Sequence, residues 1–134
     1  MEVVVSVLVT GVIFAGVLTA YIQAARFAEW SGYSLAAQAL SIQQLEQARS
    51  AKWDTQSTPE VDEIASIPSL TWTNLDVPMS GDIAVYATNH IFITNLTIMP
   101  SPPVRVKIIR VDTVWPYRGK MFTNSVATYL APDR

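Results

Sequence analysis

The chain has 134 residues, a formal net charge of −2 and no cysteine. Its length fits one folding unit, and its weak negative charge gives no basis for nucleic-acid binding. The absence of cysteine excludes disulfides, thiolate metal sites and a lipoprotein anchor.

The first predicted element is the apolar run from Val3 to Ala25, which contains no charged residue. About 20 such residues cross a bilayer as a helix, whereas the apolar part of a secretory signal has about 7–15 and follows a basic segment. Many residues of the run are β-branched, but a buried strand, at about 4–8 residues, is much shorter. The sequence therefore predicts a transmembrane helix within residues 1–26.

The helical pattern continues through residues 27–53, which contain no proline and a single glycine. At 1.5 Å per residue, a helix from Glu2 to about Trp53 would be ~78 Å long. Gly32, between Trp30 and Tyr33, predicts a bend where the helix leaves the membrane, or else the two aromatic residues form a belt at the membrane surface. Apolar residues recur at spacings of three and four, which predicts one buried helix face. The residues expected to pack on the rest of the protein are Leu35, Ala39, Ile42 and Leu45.

Residues 54–69 are predicted to form a surface loop, because they combine prolines, acidic residues, Ser and Thr. Strand-like runs rich in β-branched and aromatic residues follow it. They cover Leu70–Thr73, Asp82–Thr88, His90–Met99, Val104–Trp115 and Lys120–Leu130.

The last two of these runs read as a β-hairpin, with Pro116–Gly119 as the connection. The alternation in the first of the two shifts phase between Ile108 and Val111, which predicts a bulge. No helix remains for a parallel crossover, so the sheet should be antiparallel. The expected fold class is α+β, with the long helix packed on a sheet of three to five strands at residues 70–131.

No catalytic or metal-binding pattern stands out, so we expect no enzyme activity, cofactor or metal site. His90 is the sole histidine, with no carboxylate at ligand spacing, and is expected to be structural or solvated. The basic residues Arg105, Lys107 and Arg110 predict a solvated strand edge. Three tryptophans predict core or rim positions in the sheet, with a stacking site for sugars or bases as the alternative: Trp53, Trp72 and Trp115.

The chain resembles the type IV pilins and the pseudopilins of type II secretion. Glu2 stands where that family has a glutamate before an apolar helix, VVVSVLVTGVIFAG follows it, and Gly11 lies at the position of a helix glycine. The segment ALSIQQLEQARSAKWD resembles the helix end of minor pilins and of the minor pseudopilin I subunit, and RVDTVWPYRGKMFTNSVATYLAP resembles a minor-pilin closing hairpin. Two features depart from the pattern. The leader, its glycine and the residues before the glutamate are absent, except that Met1 fills the place directly before Glu2, and Thr19 replaces a frequent proline, so no kink is expected.

The resemblance implies a structural subunit of a type IV pilus-like filament or type II secretion pseudopilus, with N-terminal methylation as a family feature. Its partners would be other pilin or pseudopilin subunits, inner-membrane lipid before assembly, and a prepilin peptidase if a leader lies upstream. The chain would cross the inner membrane once with a cytoplasmic N-terminus, and would then enter a periplasmic or cell-surface filament. The alternative is a single-pass membrane protein with a small exported binding domain, residues 27–134, that does not polymerise.

The resemblance also implies assembly roles for three residues of the apolar helix. Glu2 would neutralise the N-terminal amine of a neighbouring subunit, or else sit at the end of the span and reach the lipid headgroups. Gly11 and Gly16 would allow close approach of helices or local melting of the helix inside a filament, or else are ordinary glycines of a membrane helix.

Overall fold

The computed structural model describes residues 2–75, 77, 84–100 and 103–133, and it contains one long helix and two antiparallel sheets. The fold is therefore α+β, as predicted. The elements are α1 (Glu2–Ser50), β1 (Trp53–Asp54), β2 (Val61–Asp62), a 3₁₀ turn (Ile64–Ser66), β3 (Leu70–Leu75), β4 (Val85–Pro100), β5 (Pro103–Tyr117) and β6 (Lys120–Leu130).

Helix α1 has 49 residues and no proline, so it runs without a break for about 74 Å. Its apolar half, residues 3–25, contains Ser6, Thr10 and Thr19, whose hydroxyls donate to the carbonyl oxygens four residues earlier. These bonds satisfy the polar side chains within the helix itself, as a membrane-crossing segment requires. The prediction of one near-continuous helix is confirmed, although the helix ends three residues before Trp53.

Strands β3 to β6 form a four-stranded sheet in sequential order, and every neighbouring pair is antiparallel. Strands β5 and β6 form the predicted hairpin. Arg118 and Gly119 join them, with φ angles of 48° and 75° that match the right-handed twist of the two strands.

Two predictions about the strands are wrong in detail. The runs on either side of Asn89 belong to one strand, β4, because Asn89 is buried and paired in the middle of the sheet. Asp82 and Ile83, the first residues of the earlier run, lie outside the described residues. The register of β5 with both neighbours is continuous from Ile108 to Val111, so the expected bulge is absent there.

From about Arg26 onward, α1 lies along β5 and runs in the opposite direction. The phenol of Tyr117 donates to the Arg26 carbonyl at one end, and the hydroxyls of Ser41 and Thr113 meet in the middle. Near the end of the helix, Leu45 belongs to a core cluster with residues of β4 and β5. The strands therefore run roughly along the helix axis, and the apolar half of α1 projects past the β5–β6 turn.

The buried face of α1 is not the predicted one. Leu45 is buried as expected, but Leu35 and Ile42 are 68% and 46% exposed, and Ala39 is exposed as well. The residues that pack on the sheet are Tyr33, Ala37, Leu40, Ser41, Leu45 and Ala48. Small residues at three of these positions let the helix approach the sheet closely enough to contact Trp115, which is 1% exposed.

The segment predicted as a loop contains the β1–β2 pair and the 3₁₀ turn, which cover the far end of the sheet. Lys107 points into this region: its side chain is 3% exposed, its ammonium contacts the Asp62 carboxylate, and it lies 4.8 Å from the centroid of Trp53. The predicted solvated edge is therefore wrong for Lys107, because β5 is an interior strand. Trp53 and Trp115 are core residues, whereas Trp72 is 73% exposed.

Candidate functional site

The most prominent surface of the protein is the apolar half of α1. Every residue from Val3 to Ala28 is exposed, including the large side chains Val12, Phe14 and Leu18. The helix is long and apolar enough to cross a membrane, and none of its most apolar window is buried within the protein. So large an exposed apolar surface requires lipid or other helices to cover it.

The predicted assembly residues all lie on this half and far from the sheet. Glu2 occupies the first turn of α1, about 50 Å from Leu35 at 1.5 Å per residue. A side chain added at Gly11 or Gly16 would meet no atom within 4 Å. Because residues five apart differ by about 140° around a helix, the two glycines do not share one face.

The exposed apolar surface does not stop at Arg26, the first charged residue after Glu2. Leu35, Ala39 and Ile42 continue it along the exposed side of α1. Leu35 and Ile42 face away from the sheet, whereas Ala39 also lines a cleft beside Thr73 and Leu75 of β3. Leu35 lies about 14 Å beyond Arg26 along the helix axis, and Ile42 about 24 Å beyond it. The apolar stripe, defined as Leu35, Ala39 and Ile42, therefore extends well outside a bilayer that ends near Arg26.

The point where α1 leaves the sheet is held by polar contacts to the hairpin turn. The Tyr117 phenol lies 2.9 Å from the Arg26 carbonyl oxygen and 3.0 Å from the Glu29 carboxylate, and Arg118 is 3.6 Å from the same carboxylate. Trp30 packs on Trp115 at a centroid distance of 6.3 Å. Trp30 and the buried Tyr33 thus belong to the helix–sheet contact, which contradicts the prediction of an interfacial belt.

A buried chain of hydroxyl and amide groups crosses the protein from the helix to the sheet edge. The hydroxyls of Ser41 and Thr113 are 2.7 Å apart, Thr113 donates to Asn89 Oδ1 at 2.7 Å, and the Asn89 amide donates to Thr71 at 3.2 Å. Ser41, Thr113 and Asn89 are fully buried. Sequence reasoning missed this polar relay, because its members are far apart in the chain and each is common on protein surfaces.

A cleft of about 220 Å³ lies between the β1–β2 pair and the sheet, and Glu60, Asp62 and Arg105 line it. Both acids are already paired, Glu60 with Arg105 at 3.1 Å and Asp62 with Lys107. Backbone N–H groups of Gln56 and, to a smaller extent, Ser57 lower the pKa of nearby Asp54. Among the described residues that line the cleft, no acid is left unpaired.

His90 lies on the outer face of the sheet, stacked on Phe92 with a centroid distance of 6.4 Å. Among the residues that the structure describes, no group of three or more His, Cys, Asp or Glu side chains could hold a metal ion. No protein-family model, curated protein sequence or solved structure matches this chain. The candidate functional surface therefore consists of the apolar half of α1 and the apolar stripe that continues it.

Proposed function

We propose that this protein is a structural subunit that polymerises through α1 into a filament of the type IV pilus or type II secretion pseudopilus kind. Before assembly, the apolar half of α1 would cross the membrane. In the filament, the helices of neighbouring subunits would cover both that half and the apolar stripe. The small α+β domain would form the outside of the filament.

The observation that carries the proposal is the exposure of the apolar stripe. A membrane-anchored protein that does not polymerise needs apolar residues only where lipid contacts the helix. Exposed apolar residues on the part of the helix outside the membrane give it no stability. Leu35 and Ile42 lie beyond Arg26, the first charged residue after Glu2, and face away from the sheet. A neighbouring helix that continues the packing of the apolar half would cover both, which favours assembly over a single-pass protein that does not polymerise.

Glu2 fits the same proposal through its charge. A carboxylate deep in apolar surroundings costs about 2.5–3.5 kcal/mol in membrane insertion, so it needs a partner there. The partner expected from the family resemblance is the N-terminal amine of a neighbouring subunit. A pairing role of this kind would affect assembly alone, because Glu2 is too far along the helix to contact the sheet.

The first experiment places a charge on the apolar stripe. We expect Leu35→Lys to fold and insert into the membrane normally but to lose most of its incorporation into filaments. Gln47→Lys is the matched control, because Gln47 is an exposed residue of the same helix outside the stripe. The readout is the ratio of sedimentable filament to membrane pool. Normal assembly of Leu35→Lys would favour the non-polymerising alternative.

The second experiment tests Glu2. We expect Glu2→Gln to enter the membrane at least as well as the wild type, because a costly charge is removed, and to assemble less, because a neighbouring amine loses its partner. The same ratio of filament to membrane pool measures both effects. If Glu2→Gln assembles like the wild type, Glu2 is an interfacial residue that reaches the headgroups.

A further inference from the structure

We propose that the four-stranded sheet continues from subunit to subunit, with β6 of one copy pairing with β3 of a second copy of this chain. The inference rests on the proposed function, because it uses the parallel alignment of subunits that share one membrane. It names a second interface, separate from the helix, and fixes its strand order and direction.

Within the described residues, both edges of the sheet have backbone groups that no other backbone group pairs with. Strands β3 and β6 each have a single neighbour, and no backbone–backbone bond between described residues covers the outer side of β6. Natural proteins usually block such edges with charged residues or proline. Neither Leu70–Leu75 nor Met121–Leu130 contains either kind of residue, so both edges can accept another strand.

The directions of the two edges are complementary. An antiparallel sheet with four strands has edge strands that run in opposite directions, so copies placed side by side in the same orientation meet with β6 antiparallel to β3. A pair of β6 strands from two copies would also be antiparallel, but it would turn one copy upside down. The apolar halves of α1 would then point in opposite directions, which one membrane cannot accommodate.

The free hydrogen-bonding groups are also in matching positions. Tyr117 and Lys120 flank the two-residue turn and form a hydrogen-bonded pair, so the even-numbered residues of β6 bond to β5. The odd-numbered residues of β6 therefore direct their N–H and C=O groups outward. Ile91 donates to the Ser69 carbonyl at 2.9 Å, so the outward groups on β3 belong to the even-numbered residues Leu70, Trp72 and Asn74. Both sets carry their side chains on the face of the sheet opposite α1.

This arrangement would also cover large apolar side chains that a single copy leaves in water. Trp72, Met121 and Tyr129 are 73%, 66% and 71% exposed and lie on the two edge strands, on the same face. Leu70, His90, Asp112 and Ser125 form one row across the sheet. With no offset along the strands, Leu70 of the second copy would therefore lie opposite Ser125.

The test is disulfide crosslinking of the full chain in its native membranes. The chain has no natural cysteine, so only the introduced cysteines can crosslink two copies. Bonded antiparallel pairs have Cα atoms about 5.5 Å apart, within the range of a disulfide. Leu70→Cys is combined with Thr123→Cys, Ser125→Cys or Ala127→Cys. These combinations sample the pairing without offset and the pairings shifted by two residues in either direction. Thr94→Cys with Ser125→Cys is the control, because Thr94 is exposed on β4 four residues beyond His90, the partner of Leu70, and is therefore about 13 Å farther along the strands than the proposed contact.

We expect one of the three combinations to give a ladder of dimers, trimers and larger species on oxidation. The control and each single variant should remain monomeric. A mixture of chains with Leu70→Cys and chains with the matching β6 cysteine should stop at dimers.

Sedimentation of the same samples separates this inference from the proposed function. Filaments without a ladder overturn the sheet pairing and leave the filament proposal standing. A ladder without filaments overturns the filament proposal and leaves the sheet pairing standing. Dimers from Ser125→Cys alone would indicate two paired β6 strands and would overturn the proposed direction. Neither filaments nor a ladder would overturn both proposals.

Discussion

Replacing Thr113 by Val should destabilise the protein through the polar relay rather than through lost packing. Val has nearly the shape of Thr, but it cannot donate to Asn89 Oδ1, which is buried and lies 2.7 Å from the Thr113 hydroxyl. Turning the amide over does not help, because its NH₂ group would then face the new methyl group. One buried polar group therefore loses its partner, which lowers the free energy of unfolding by about 1–3 kcal/mol.

Replacing Ser41 by Ala should cost less, although Ser41 is equally buried. The Thr113 hydroxyl still donates to Asn89 when Ser41 is gone, so no buried donor is orphaned, and we expect a loss of about 0.5–1.5 kcal/mol. When Thr113 is replaced instead, the Ser41 hydroxyl can donate to the Ala37 carbonyl oxygen, 2.8 Å away. The double variant should therefore be nearly as stable as Thr113→Val alone.

The assay is denaturant unfolding of the full chain in detergent micelles, followed by the fluorescence of tryptophans such as the buried Trp115. Equal slopes with denaturant in all variants would show that the free energies can be compared directly. If Thr113→Val is no more destabilising than Ser41→Ala, or if the two effects simply add, the relay does not act as a connected chain of hydrogen bonds.

Two further predictions concern the region around β1 and β2. Asp62→Asn should destabilise more than Lys107→Met, because the first leaves a buried ammonium unpaired while the second leaves a carboxylate that water can reach; unfolding midpoints of the two variants test this order. The pKa of Asp54 is lowered from 3.8 by the N–H of Gln56, so its contribution to stability is present above pH 3.8 and is lost as the pH falls below it. Asp54→Asn should therefore flatten the fall in unfolding midpoint below pH 3.8, and an unchanged acid dependence would contradict this assignment.

The sequence by itself determined the long helix and the closing hairpin. The apolar run without proline admits only helix over such a length, and the hairpin follows from two strand-like runs separated by a short turn. Both are local properties, since each depends on residues near one another in the chain. The candidate assembly residues Glu2, Gly11 and Gly16 could be named from the sequence, but their pairing stays a prediction, because it involves other copies.

Only the tertiary structure decided which side of α1 is buried. The second half of the helix has apolar residues on two sides: Leu35, Ala39 and Ile42 lie on one side, and Tyr33, Ala37, Leu40 and Ala48 on the other. Spacings of three and four residues occur on both sides, so periodicity alone does not distinguish them. The sheet selected the second side, where Ala37 leaves room for the bulky Trp115 and where Tyr33 and Leu40 fill the core beside it.

Lys107 in β5 is a second residue whose burial the sequence pattern could not predict. Strand β5 carries apolar residues on both faces, so alternation alone does not indicate which face Lys107 takes. The answer depends on Asp62, a residue 45 positions away along the chain. Contacts across such distances are made only when the chain folds, so the burial of this charge, like the choice of helix face, is a property of the tertiary structure.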